Sequence, residues 1–245
     1  MMQSKNWGQV PRKVWEILMS IQETKLVARG RQHSTARGPG RTETVERRRE
    51  RIIRTAWRLF LKKGYDNVSI DDIIAVVGGS KATIYAWFGG KEGLFEAVVR
   101  QKCRDVTVAI HVDTSGTLEA QLTEIGHSFL AMVLSPPILE FHRLMVSIGR
   151  TFPEIGRLFY QTGPDTAYNI VATWIAKHQK DGCIIEGDPY RLAVLFLDML
   201  IGEHQLRWLT GVPRAAKREK IDETVRIAVK VFLRGCGKTA AREAK

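Results

Sequence analysis

Lys81, Ala82 and Thr83 open a short segment, Lys81-Ala82-Thr83-Ile84-Tyr85-Ala86-Trp87-Phe88, that follows a break at Gly78–Gly79–Ser80. A helix starting this way presents short polar and small apolar side chains at its N-terminal end, the chemistry needed to enter a DNA major groove. Lys81 can donate to guanine O6 or N7, Thr83 can bond a base edge or a phosphate, and Ala82 can meet a thymine methyl. Tyr85 and Trp87 can point outward with them, while Ile84 and Phe88, four apart, turn into a small core. Tyr85 and Lys91 are placed to hold phosphates, and Arg48 and Arg51, in an arginine-rich stretch, can add backbone contacts. Ser69 and Ser80 stand where helix N-caps are expected and border the same surface, so they complete the DNA-binding candidates.

Other chemistries find little support. The three cysteines, Cys103, Cys183 and Cys236, are far apart with no metal-ligand spacing, and the six histidines form no HExxH-type cluster. No nucleophile elbow, phosphate-binding loop, dinucleotide fingerprint or carboxylate pair at metal spacing occurs. Asp71 and Asp72 are adjacent, so they face different directions and fit a solvated first turn better than catalysis. No metal, no cofactor and no enzymatic activity are expected. Two other classes make distinct predictions: an enzyme would keep turnover after removal of residues 44–95, and a non-specific architectural DNA binder would lack a ligand response.

The charge distribution agrees with a polyanion partner. The chain has 245 residues and a formal net charge of +12, and nine of those twelve excess charges fall in residues 1–100. With 44% hydrophobic residues it can build a real core. No apolar run approaches the roughly 20 residues that span a bilayer, and no signal-peptide pattern opens the chain. The expectation is a cytoplasmic protein without a membrane partner. Residues 1–43 read as a separate basic extension, expected to be disordered, because the Gly-, Pro- and Arg-rich stretch before Arg41 has no hydrophobic period.

From Thr44 onward the 3.6-residue period dominates and no alternating strand appears, so the fold class is all-α. Ile52, Ile53, Ala56, Leu59 and Phe60 form the stripe of a first helix ended by Gly64. A second short helix follows Ser69, and a third follows Ser80; with the glycine turn between them this is a helix-turn-helix arrangement. Gly89–Gly90 separates it from a longer helix opening at Lys91. Further helices are expected at about 117–134, 137–149, 153–161, 164–181, 189–210 and 218–234, bounded by glycines and prolines. The domains are therefore a three-helix DNA-binding unit at 44–95, a larger helical effector-binding and dimerisation domain at 96–236, and a basic tail at 237–245.

The run RRRERIIRTAWRLFLKKGYDNVSIDDIIAVVGGSKATIYAWFGGKEGLFEAVV resembles the N-terminal domain of TetR-family transcriptional regulators over about fifty positions. Carrying the resemblance are Ile53, Ala56, Leu59–Phe60 and Gly64–Tyr65, then Ser69 with Ile73–Ile74–Ala75, and then Gly79–Ser80, Thr83-Ile84-Tyr85, Phe88, Lys91–Glu92 and Leu94. Two departures stand out: Val77–Gly78–Gly79, where the family more often has Ala-Gly-Val, and Gly89–Gly90 before the lysine. More loosely, the stretch from Phe141 to Asp165, with the end of the 189–210 helix, resembles the C-terminal domain of the AefR-like subgroup. The resemblance implies a two-domain homodimer, a repressor that leaves its palindromic operator DNA when a small molecule binds the C-terminal domain.

Two further sets of candidates follow. The 189–210 and 218–234 helices are apolar on more than one face and need a second partner, either a monomer core or their own copies across a two-fold axis. Leu195, Met199, Val225, Val229 and Phe232 are the interface candidates. For the effector cavity that the resemblance implies, Phe129, Met132, His142, Met145, Phe159, Tyr160, Tyr168 and Trp174 are the candidates, most of them expected in the core in any case. Their aromatic and methionine content favours a hydrophobic or aromatic effector.

Overall fold

The computed structural model describes residues 44–107, 115–212 and 218–238. The N-terminal extension and the end of the basic tail lie outside these residues. Among the described residues the regular elements are helices: α1 (Val45–Lys63), α2 (Ile70–Val77), α3 (Lys81–Phe88), α4 (Lys91–Thr107), α5 (Leu118–Val133), α6 (Pro136–Ile148), α7 (Pro153–Thr162), α8 (Pro164–Lys180), α9 (Pro189–Leu209) and α10 (Arg218–Cys236). An isolated antiparallel bridge joins Ile184 to Gly237.

Local chemistry starts and stops these helices. The Thr44 hydroxyl accepts from the Arg47 N–H at 3.3 Å at the head of α1, while Glu46 in the first turn and Lys62 and Lys63 in the last complement the helix dipole. Asp188 caps α9, accepting from the Tyr190 N–H at 2.9 Å, with Pro189 at the first helical position. Gly93 is set by close approach, since a Cβ there would run into the Phe88 carbonyl oxygen. That allows α4 to begin hard against the end of α3.

The chain divides into two compact units, and the division falls inside α4, after Arg104, and inside α6, after Leu139. The first unit holds α1, α2, α3, most of α4, the C-terminal part of α6 and all of α7. Its core joins Ile52, Ala56, Phe60, Ile73, Ile84 and Leu94 to Phe141, Leu144, Ile148 and Ile155. Trp57 meets Phe141 edge-on at 5.0 Å between ring centroids, and Tyr65 meets Phe152 at 4.9 Å. Residues 140–162, which helical periodicity alone assigns to the effector-binding domain, thus share a core with the helix-turn-helix.

In the second unit α8 packs along α9, α10 packs along α5, and α9 touches α5 and α10. Leu122, Ile125, Val171, Ile175, Phe196, Leu197 and Val225 form its centre. No single helix among the described residues is long and apolar enough to cross a membrane.

Candidate nucleic-acid interface

Three caps build the helix-turn-helix. Ser69 heads α2 in a reciprocal box: its hydroxyl accepts from the Asp72 N–H at 3.1 Å and donates to Asp72 Oδ2 at 2.6 Å, while its backbone N–H donates to the same carboxylate oxygen at 2.8 Å. Lys63 adds an ion pair to Asp72 at 2.7 Å. The Lys63 hydrogen bond first, and those from Ser69 next, hold the Asp72 carboxyl well below the usual carboxylate range. Ser80 heads α3, accepting from the Thr83 N–H at 3.3 Å. Gly89, in the left-handed region at φ +77°, ends α3. At the turn between α2 and α3, Arg51 Nη1 donates to the Val77 carbonyl at 2.8 Å, satisfying a carbonyl that the end of α2 leaves open.

Helical spacing then sorts α3. Ile84 and Phe88 are buried, and Lys81, Ala82, Tyr85 and Ala86 are exposed, one continuous face at i, i+1, i+4 and i+5. Thr83 is half-buried, with its hydroxyl 3.2 Å from that of Ser80. Trp87 is also half-buried and packs against the core rather than standing outward. It lies beneath the Arg48 guanidinium, 6.0 Å from the ring centroid.

The turn glycines that depart from the family pattern have a local reason. Gly79 has φ +104°, and a Cβ on it would collide with the Arg48 guanidinium. The positive φ is what favours glycine at this position; the Arg48 guanidinium over it is the end of a flexible side chain and can shift. Lys91 is also engaged within the unit: its ammonium lies 4.3 Å from the Tyr65 ring centroid and donates to the Asp66 carbonyl at 3.3 Å. Lys81 pairs with Asp71 across the turn, Nζ to Oδ2 at 2.8 Å; the hydrogen bond and charge of Asp71 raise the lysine pKa.

Of the ten DNA-binding candidates, Lys81, Ala82, Thr83, Ser80 and Tyr85 share the N-terminal end and outer face of α3. Arg48 borders that face at the turn. Arg51, Ser69 and Lys91 are committed to bonds within the unit. Two further residues share this surface: Ala86, legible as the i+4 neighbour of Ala82, and Asp71, whose partner lies ten residues away across a turn.

The other candidates separate by unit. Phe129, Met132 and Trp174 are buried in the core of the second unit, with Tyr168 packed against it. The Trp174 indole N–H donates to Gln121 Oε1 at 2.9 Å, and the Tyr168 hydroxyl donates to Asp198 at 3.1 Å. Met145 is buried in the first unit, where Phe159 packs against the core and meets the His142 ring at 5.4 Å. Burial lowers the His142 pKa to about 4. Tyr160 is exposed.

For the interface set the structure makes a correction. Val225, Val229 and Phe232 are at most 3% exposed within a single chain and belong to its core, leaving no surface for a partner. Leu195 and Met199 are exposed, and the apolar residues that join them outside are Leu206, Ile227 and Val231, spanning 40–63% exposure as a set. On α9, residues 195, 199 and 206 fall on one helical face, as do 227 and 231 on α10. Among the described residues no group of three or more His, Cys, Asp or Glu side chains is placed to hold a metal.

Comparison with known proteins gives a consistent picture. Residues 52–98 match the family model described as bacterial regulatory proteins, tetR family. Residues 120–237 match the model for the C-terminal domain of AefR-like transcriptional repressors. A TetR-family transcriptional regulator from Mesorhizobium loti MAFF303099 is 26% identical with a TM-score of 0.75, covering 80% of this chain and 100% of that one. The flavonoid-responsive regulator FrrA is 29% identical with a TM-score of 0.72 over the same shares. The HTH-type transcriptional regulator YvaF of Bacillus subtilis (strain 168) is 40% identical over 52 residues, 21% of this chain and 27% of that regulator. The chain thus spans about a quarter of the length of that curated relative.

Proposed function

Because the chain belongs to the TetR family of transcriptional regulators, we propose that it is a ligand-responsive repressor that binds a palindromic operator as a homodimer and releases it on binding a small hydrophobic or aromatic effector. Both matched family models describe regulators rather than enzymes. The observation that carries the proposal is the outer face of α3: a lysine, small side chains and a tyrosine, exposed together, on a helix held at both ends by its own caps. Lys81 donates to guanine, Ala82 and Ala86 offer room or methyl contact, and Thr83, Ser80, Tyr85 and Arg48 hold base edges or phosphates.

Dimerisation is supported by the exposed apolar residues of α9 and α10, which pair with their copies across a two-fold axis. The flavonoid response named for FrrA supports a hydrophobic or aromatic effector. The switch runs through α4, a single helix whose residues belong to both units. An effector lowers DNA affinity about a hundredfold by preferring the DNA-incompetent state by about 2.7 kcal/mol.

Selecting bound duplexes from a random library tests the reading. The expected product is an inverted repeat with half-sites about one helical turn or more apart. Replacing Lys81 by Ala should cost about 1–3 kcal/mol on that site and relax one position of it. No sequence enrichment by the wild-type chain would overturn the proposal.

A further inference from the structure

An acidic side chain on a surface that faces DNA repels the phosphates, and α2 carries two in its first turn, Asp71 and Asp72. Asp72 has a structural task, since its carboxylate is taken up by Ser69 and Lys63. Asp71 is different. Its carboxylate meets Lys81, 2.8 Å away on the next helix, and the two side chains are 68% and 59% exposed. An exposed pair of this kind contributes about 0–1 kcal/mol to folding at most, and a carboxylate in the first turn of α2 adds about 0.3–1 kcal/mol, so stability gives only a modest reason for it. Its position is the N-terminal end of α3, the end that enters the groove in the reading above, on which this inference rests.

We propose that Asp71 is a specificity-determining residue that withholds Lys81 from phosphates and leaves it available to a guanine. An ammonium has three N–H donors. On a matching site Lys81 keeps Asp71 on one donor and gives the others to guanine O6 and N7, so the carboxylate stays neutralised. On mixed-sequence DNA Lys81 reaches a phosphate only by leaving Asp71, which strands a bare carboxylate beside a polyanion. The pair therefore weakens non-specific binding while sparing specific binding, discrimination built on a repulsive element.

Asp71→Asn removes the charge and keeps the shape. The full chain and the variant are titrated with sonicated mixed-sequence duplex, and with the duplex that the wild type selects from a random library. The expected result is tighter binding of the variant to mixed-sequence duplex, with a log–log salt slope steeper by about 0.9, one more phosphate contact. Its advantage over the wild type then grows about threefold between 200 and 50 mM salt. Binding to the selected duplex changes less, so the specificity ratio falls. In a Lys81→Ala background the same substitution has no effect on the slope, and Asp71→Glu, which keeps the charge, stays close to the wild type. Circular dichroism checks that each variant is folded. Equal tightening on both duplexes, or a steeper slope that persists without Lys81, would overturn the proposal in favour of a general charge effect. Wild-type protein that binds neither duplex would overturn the DNA-binding reading and the proposal with it.

Discussion

Arg51→Met separates two roles that an arginine at this position can play. In the structure its guanidinium donates to the carbonyl of Val77, the last residue of α2, at 2.8 Å. It thus fastens the start of the turn that carries α3. A hydrogen bond to a charged group is worth about 1.5–3 kcal/mol, and methionine keeps the aliphatic stem while removing the donor. At about 2–4 °C per kcal/mol for a chain of this size, the melting temperature should fall by about 3–12 °C. DNA affinity should fall as well, because a loosened turn no longer holds α3, but by the same factor at every salt concentration. The assay is a thermal melt followed by titration of fluorescent duplex across a salt series. Arg51→Lys should keep part of the stability, since an ammonium can reach one carbonyl but lacks the guanidinium fork. An unchanged melting temperature with a log–log slope shallower by about 0.9 would refute the reasoning and return Arg51 to the phosphate contacts.

Leu195→Glu or Ile227→Glu, on exposed faces of α9 and α10, should give folded monomers by sedimentation, whereas Val229→Asp, placing an unpaired charge in the core, should unfold the chain at a cost of about 3–5 kcal/mol. Folded dimers from the two glutamate variants would exclude those faces. His142, held to about 4 by burial, binds its proton more readily unfolded. Its contribution is thus complete above the ordinary histidine pKa of about 6.5, and about 2 kcal/mol of it is lost between pH 7.5 and 5. His142→Leu should flatten that part of the stability–pH profile in denaturant melts, and an unaltered profile would contradict the assignment. Hydrophobic and aromatic compounds titrated against a fluorescent operator complex should weaken DNA binding, with DNA weakening theirs by the same factor. A compound with equal affinity for free and DNA-bound protein would show no switch.

What could be seen in the sequence follows the range of the interactions. Caps and glycine stops are local, so Gly64, Ser69, Ser80 and Gly89 locate the helices of the helix-turn-helix within a residue or two of where they lie. The exposed face of α3 follows from Ile84 and Phe88 alone, because burying one side of eight residues leaves the other side outside. Trp87 escapes this logic, as its size lets it cover core and support Arg48 at once. On α10 both faces are apolar, and periodicity cannot say which one the chain keeps for itself. Gly126 on α5 supplies the answer: a Cβ there would meet Val225 at 3.0 Å, so α5 and α10 approach closely along the Val225 face, and Ile227 and Val231 are left outside. The Phe141–Trp57 contact and the Asp71–Lys81 pair depend on how helices return to one another, and neither has a local signature. Gly79 lies between these cases. A glycine that breaks a family's pattern marks a place where the backbone takes a positive φ, +104° here, and only the structure shows that Arg48 lies over it. A departure from the pattern is thus the better guide to what distinguishes this chain, since it points to Arg48 and, through the same turn, to Asp71 beside Lys81.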